Sequence, residues 1–302
     1  MAKNLSNLDN KNIDGQERKK EKKSIKTLKL ILKNRLAVIG LFIIILQVLI
    51  AIFTPLLTSY GPHTQHLSQT ELGVLDSSDF LLGTDNYGRD IFARLMYGTR
   101  ISLIVGVTSV SIGVIGGTFL GLIAGYFKKM DSIIMRFVDL LFAFPGILLA
   151  MLIIAILGAS LVNVVIAISI WSIPGCARIV RGSVLETKRQ EYILSLKSLG
   201  ASNIRILFKH ILPNCTAPII VFATMRMATT LLSTSALSFL GLGAQPPTPE
   251  WGAMIADAQD FMWSSPHMSI IPGIAIMLTV FAYNVVGDGL RDALDPSMKT
   301  NE

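Results

Sequence analysis

The chain has 302 residues, of which 51% are hydrophobic and 16% charged, and its mean hydropathy is +0.57. Soluble domains carry about 25% charged residues, so this composition excludes an ordinary soluble protein and points to one polytopic membrane domain. The formal net charge of +7 does not mark a nucleic-acid binder, because the cations lie in the tail and the loops, where membrane topology accounts for them.

Residues 1–35 form a polar, Lys-rich tail centred on ERKKEKK, with no apolar stretch ahead of a small-residue cleavage site. It reads as a cytosolic tail that fixes orientation, with lipid or partner binding as the alternative. Six apolar runs follow, at 36–57, 101–126, 133–158, 161–180, 213–239 and 270–290. An even number of spans puts both termini on one side. The tail, the short loop with Lys128, Lys129 and Arg136, the long loop from Arg178 to Lys209, and the tail with Arg291 and Lys299 are all basic. Outside stand only Arg89, Arg94 and Arg100, and residues 241–268 hold no Lys or Arg. Cationic loops stay in the cytosol, so the chain reads as N-in, C-in. The expected organisation is a tail (1–35), a first span (36–57), an outer loop (58–100), a five-helix core (101–290) with a cytosolic loop at 181–213, and a second tail (291–302).

The outer loop is expected to end in an amphipathic helix from Asp90, with Ile91, Leu95 and Met96 alternating with Arg94 and Arg100, lying at the membrane interface. It would dock an external partner or set the angle of the second span. That span carries Gly113, Gly117, Gly121 and Gly125, a four-residue spacing that bares one helix face for close packing. Packing within one bundle is the favoured reading, and a subunit interface the alternative. The third and fourth spans are expected to be interrupted at Phe144-Pro145-Gly146 and Ile173-Pro174-Gly175, either as working bends or as static kinks. Asp139 lies one turn from Arg136, near the cytosolic end, where Arg136 or water is expected to satisfy it. Arg226 lies about 13 residues into the fifth run, roughly 20 Å along a helix. A charge that deep needs a partner, a wet cavity or an anionic solute. Arg226, Phe144 and Asn284 are the candidates for the solute pathway.

Residues 189–214, RQEYILSLKSLGASNIRILFKHILPN, stand apart as a polar, basic stretch between two apolar runs. Tyr192, Leu196 and Leu199 recur at helical spacing, Gly200 breaks the pattern, and Ile204, Leu207, Phe208 and Ile211 resume it. Pro213 is expected to open the next span. This helix–glycine–helix element is larger than a connector needs to be, and it is the part a cytosolic partner would grip. Cys176 and Cys215 sit at cytosolic ends of spans, where a disulfide is not expected. There is no GxxxxGK[ST], HExxH or GxSxG. His63 and His66 form an HxxH with no third ligand, so no metal site is expected. Glu250, Asp257 and Asp260 show no acid–base arrangement, and nothing argues for catalysis.

From about Leu36 to the C-terminus the chain resembles the permease subunits of bacterial ATP-binding-cassette importers. It is most similar to the second permease of the dipeptide, oligopeptide, nickel and glutathione group. The resemblance rests on Gly200 with Leu212-Pro213 in the cytosolic loop, on LGTDNYGRD, on SFLGLGAQPPTPEWGAMI (residues 238–255) and on GDGLRDALDP (residues 287–296). The LFAFPGILLA run and Thr224-Met225-Arg226 look most like glutathione-type permeases. The chain departs from the group at Leu194, Ser195 and Leu196, where Glu-Ala-Ala is usual, and at His210, where an Ile is usual.

The resemblance implies an all-α, six-span type I importer fold in the bacterial cytoplasmic membrane, surrounded by lipid, with no enzymatic activity of its own. It implies a second permease, two ATPase subunits that hold ATP and Mg, and an extracytoplasmic solute-binding protein. It also implies a coupling loop carried by Glu191, Tyr192, Leu194, Ser195, Leu196, Lys197, Gly200, Ala201, Arg205, Leu212 and Pro213. The solute would be a dipeptide, oligopeptide or glutathione, or alternatively nickel or a metal chelate. A stand-alone ion-coupled carrier, which would pair charges across its spans, is the reading from another class, and Arg226 is its one support.

Overall fold

A computed structural model describes residues 30–294. Most of the basic N-terminal tail, and Pro296 and Lys299 at the other end, fall outside the described residues. The described chain is helical, with a single isolated bridge between Thr84 and Asp90.

Helix α1, Arg35–Leu57, starts where the Asn34 side chain accepts from the amides of Leu36 and Ala37. Helix α2, Ile91–Tyr126, starts at Asp90, whose carboxylate accepts from Phe92 N. At 36 residues it is about 54 Å long, far beyond a hydrocarbon core of about 30 Å. No separate interfacial helix precedes the second span. The stretch from Ile91 is the outer end of α2, and Ile91 and Arg94 are buried rather than facing an interface.

The third span is two helices, α3 (Lys128–Phe142) and α4 (Gly146–Leu157), bent by 89° at the break. Helix α5, Leu161–Thr187, runs straight through Pro174 without a break. Both prolines are followed at once by a glycine, Pro145-Gly146 and Pro174-Gly175, yet the chain turns only at the first. Pro174 is buried within its helix, whereas Pro145 is exposed.

Helix α6, Glu191–Ser198, is followed after Gly200 by α7, Asn203–Phe239, a continuous helix of 37 residues. Pro213 therefore does not open a new helix. It lies inside α7, just after a π-helical stretch at Ile206–Ile211. Proline lacks an N–H and its ring crowds the carbonyl four residues back, and widening the preceding turns accommodates both. Outside, α8 (Trp251–Asp257) leads to the last helix, α9 (His267–Leu294). Among the described residues five helices are long and apolar enough to cross a membrane, and the count is six where the bent pair α3–α4 is taken as one span.

The glycine row sets the centre of the bundle. A Cβ added at Gly113 would stand 2.6 Å from Ser172 Cβ, at Gly121 2.7 Å from Val180 Cβ and at Gly125 2.6 Å from Val184 Cβ. At Gly117 it would collide with Cys176. Residues four apart on α2 thus meet residues four apart on α5, so the two backbones lie in close contact along four turns. A similar approach joins α1 to α9, where Gly40 meets Val285 and Ala282 O, and Gly289 meets Ala37. Cys176 and Cys215 are buried and unlinked.

The outer cap is tied by charge. Asp85 accepts from Tyr87 N and Arg89 N, and pairs with Arg89 Nε at 2.5 Å and Arg94 Nε at 3.5 Å. Asp257, from the end of α8, faces the same two arginines at 3.3 and 3.7 Å. This four-residue cluster joins the LGTDNYGRD segment to the segment ending in α8. Glu250 is fully buried: it caps α8 through Ala253 N and accepts from Ser235 Oγ. Its role is structural, and among the described residues no His, Cys, Asp or Glu grouping could hold a metal.

Candidate functional site

The cytosolic end is built from α6, the turn at Gly200 and the first turns of α7. Gly200 has φ +79°, its N–H bonds Lys197 O, and Ala201 N reaches back to Leu196 O. These bonds form a Schellman stop, for which glycine is the residue of least cost. Ser202 then caps α7 by accepting from Arg205 N.

Two apolar faces result. Ile193, Ile206, Leu207 and Ile211 are buried, and they pack with Leu122, Cys176, Val180, Val184 and Cys215 into one core beneath the loop. Leu196, Ala201 and Leu212 border that core. The other face is bare. Leu199 is 83% exposed and Ile204 71%, with Leu194 and Phe208 beside them. The helical spacing had grouped Leu207 with Phe208 and Ile211. In the fold, Leu207 and Ile211 point into the molecule and Phe208 points out. Glu191, Ser195, Lys197, Arg205 and Pro213 are all exposed.

The loop is bolted to the bundle. Tyr126, the last residue of α2, donates its hydroxyl proton to Asn203 Oδ1 at 2.7 Å. Asn214 joins Tyr192 to His210 O across the two arms. Lys188 Nζ donates to the carbonyls of Gly125 and Tyr126 at 2.9 and 3.2 Å, closing the C-terminal end of α2. Burial pulls the Lys188 ammonium below its ordinary pKa. Arg181 grips Asp131 through Nε and Nη2 at 2.5 and 2.7 Å, tying α3 to α5. Asp139 is met by Arg178 at 2.6 Å, not by its neighbour Arg136.

Deeper in the bundle, Arg226 on α7 reaches α5. Its Nε donates to Ser172 Oγ at 3.0 Å, and its guanidinium carbon lies 4.2 Å from the centroid of the Trp171 ring. No carboxylate pairs with it among the described residues. It lines an open cavity of about 670 Å³ between α5, α7 and α9, together with Val221, Phe222, Met225, Thr229 and Arg291. Phe144, half-exposed in the α3–α4 break, and Asn284, exposed on α9, do not line this cavity. The structure does not bring the three pathway candidates together.

Residues 117–300 match the family described as the binding-protein-dependent transport system inner membrane component. The chain belongs to this family. Residues 27–73 also match the N-terminal transmembrane domain of oligopeptide transport permease C. A dipeptide transport system permease protein of Alkalihalophilus pseudofirmus is 51% identical over 269 residues, covering 89% of this chain and 88% of the relative. A glutathione transport system permease protein of Pectobacterium atrosepticum is 50% identical over 262 residues, covering 86% of each. Among solved structures, an inward-facing methionine ABC transporter matches 67% of this chain and 96% of its own, with TM-score 0.56 and 18% identity. An amino acid ABC transporter crystallised with histidines matches 65% and 92%, with TM-score 0.50 and 16% identity. These two share the fold. The protein is a multi-pass ATP-binding-cassette importer permease of the bacterial inner membrane.

The permease also uses residues the sequence did not single out. Trp171 and Ser172 hold Arg226, and Asp131 holds Arg181, a partner 50 positions away. Asp85, which with Asp257 holds Arg89 and Arg94, is a third case. Apart from those Asp85 makes with Arg89, four residues on, and with Arg94, these pairs are long-range and leave no local spacing signal. The uneven exposure within α6 and early α7 had a signal, but which of two apolar stripes faces the bundle depends on how α2 and α5 approach.

Proposed function

We propose that this permease forms the pore with a second, homologous permease and carries short peptides, a dipeptide, oligopeptide or glutathione, into the cell. An external binding protein delivers the solute. Two ATPase subunits, which hold ATP and Mg, grip the cytosolic ends of the two permeases. The observation that carries this reading is the bare face of Leu194, Leu199, Ile204 and Phe208, set on a loop whose other face is locked into the bundle. An apolar patch rimmed by Lys197 and Arg205 is a protein-docking surface in form. The rigid attachment below it lets a pull on the loop move whole helices. The 50% identity to dipeptide and glutathione permeases supports the solute class.

The test is reconstitution of this permease with a second permease, two ATPases and a binding protein from the same organism, followed by uptake of labelled dipeptide and labelled glutathione. ATP-dependent uptake of either one supports the reading. A permease that copurifies with no ATPase, or that transports alone on an ion gradient, overturns it.

A further inference from the structure

Arg226 is an expensive residue that the fold leaves half satisfied. It meets α5 at Trp171 and Ser172, near the middle of a 27-residue span helix, where a charge costs several kcal/mol unless it is paired or wetted. Its Nη2 group is buried with no hydrogen-bond acceptor. Its contacts are a neutral hydroxyl and a ring face, and neither supplies a negative charge. The cavity beside it carries a second cation, Arg291, and no Asp or Glu in its lining, which is otherwise mostly apolar. A volume of about 670 Å³ lies within the range of small-molecule sites. A cavity with two guanidiniums, apolar walls and no acid lacks a carboxylate, and a peptide carries one at its C-terminus. Guanidinium and carboxylate match in shape as well as charge.

We propose that Arg226 receives the C-terminal carboxylate of the solute in transit, and that Trp171 senses its arrival. This rests on the peptide-importer reading. Trp171 touches both partners in the event: one side stacks on Arg226, and the indole edge lies directly against the backbone of Gly146, where an added Cβ would collide with it. Gly146 opens α4 at the 89° bend. When a carboxylate draws the guanidinium toward the cavity, the stacking on Trp171 changes next to the hinge.

The experiment uses the assembled complex of permeases and ATPases in nanodiscs, without the binding protein, so that delivery does not select the ligand. Tryptophan emission is titrated with Ala-Ala, with its C-terminal amide and with inorganic phosphate. The contribution of Trp171 is the difference from a Trp171→Phe complex. The expected result is a saturable change with Ala-Ala and a response at least roughly tenfold weaker with the amide, the loss of one charge-assisted pair. Arg226→Gln abolishes the change, and Arg226→Lys keeps a weaker one, which separates charge from fold. An equal response to acid and amide, a response that survives Arg226→Gln, or an equal response to phosphate overturns the proposal. So does an Arg226→Gln complex whose emission differs from wild type before any peptide is added and that shows no titration in either form, the mark of a fixed carboxylate from the second permease. An assembled, ATP-hydrolysing complex that fails these tests leaves the importer reading standing. A permease that assembles with no ATPase removes that reading and this one with it.

Discussion

No atom lies within 4 Å of where a side chain would begin at Gly200, yet its φ is +79°. Gly117 has ordinary helical geometry but sits in contact with Cys176. Gly200→Ala should therefore cost about 1–2 kcal/mol from backbone strain alone, whereas Gly117→Val must push α2 off α5, at about 1–3 kcal/mol or more. Thermal unfolding of the solubilised complex is expected to rank Gly117→Val as the less stable, and a reversed order would show that the row is loosely packed. Asp85 raises the stakes further. Removing it with Asp85→Ala leaves Arg89 and Arg94, both nearly inaccessible, to share Asp257, and breaking such a buried network costs about 3–5 kcal/mol. The measurement is the same melt, and a shift no larger than that of an exposed substitution would refute the network's role. The glycine row was legible because its four-residue period is a local pattern. Arg94 was misread because helical spacing alone showed a cation on an amphipathic stripe, while its partners Asp85 and Asp257 come from before α2 and from beyond α7.

At the scale of elements, the unit from α6 through the first turns of α7 shows how far periodicity reaches. Gly200 as the breakpoint and a helix on each side both follow from spacing. The continuity of α7 through Pro213 does not, because a proline in sequence marks a stop as readily as a π-helical detour. The same holds for the two interrupted spans. Pro145, which is exposed, breaks its helix and Pro174, which is buried, does not, and the local sequence, Pro-Gly in both cases, does not tell them apart. The outward face makes a prediction that charge alone would not. Lys197 and Arg205 stand at the rim, and the centre is apolar. Rim charges tune association rates, and buried apolar anchors carry the affinity. Leu199→Asp is expected to lower ATPase copurification with the permease by tenfold or more, about 1.4 kcal/mol or above, while Lys197→Glu weakens it less and mainly at low salt. Quantifying ATPase per permease after affinity purification decides this. If Lys197→Glu proves the more damaging, the grip is electrostatic and Leu199 is not its centre.

For the whole molecule, the parts form one load path. The bare face of Leu194, Leu199, Ile204 and Phe208 stands on a core shared with α2 and α5. The α2–α5 pair is welded along the glycine row, and α7 continues from the loop without a break to Arg226 and on to the outer cap. Force applied at Ile204 or Phe208 thus has a helical route to Arg226, and the loop has a second route, through Tyr126 and Lys188, into α2. The second route hangs on a few hydrogen bonds: Tyr126 to Asn203, and Lys188 to the carbonyls of Gly125 and Tyr126. The neutral Tyr126 bond is worth about 0.5–1.5 kcal/mol to stability and those of the Lys188 ammonium about 1.5–3, so Tyr126→Phe combined with Lys188→Met should weaken the permease but leave it folded, membrane-inserted and still holding its ATPases. What it should lose is transmission. ATP hydrolysis continues, while solute moved per ATP falls, because the loop is then tied to α2 by the apolar core alone. Parallel assays of ATP turnover and peptide uptake in proteoliposomes measure that ratio. An unchanged ratio would show that α7 alone bears the load. A fall in hydrolysis together with uptake would show that these bonds shape the ATPase seat and not the linkage behind it.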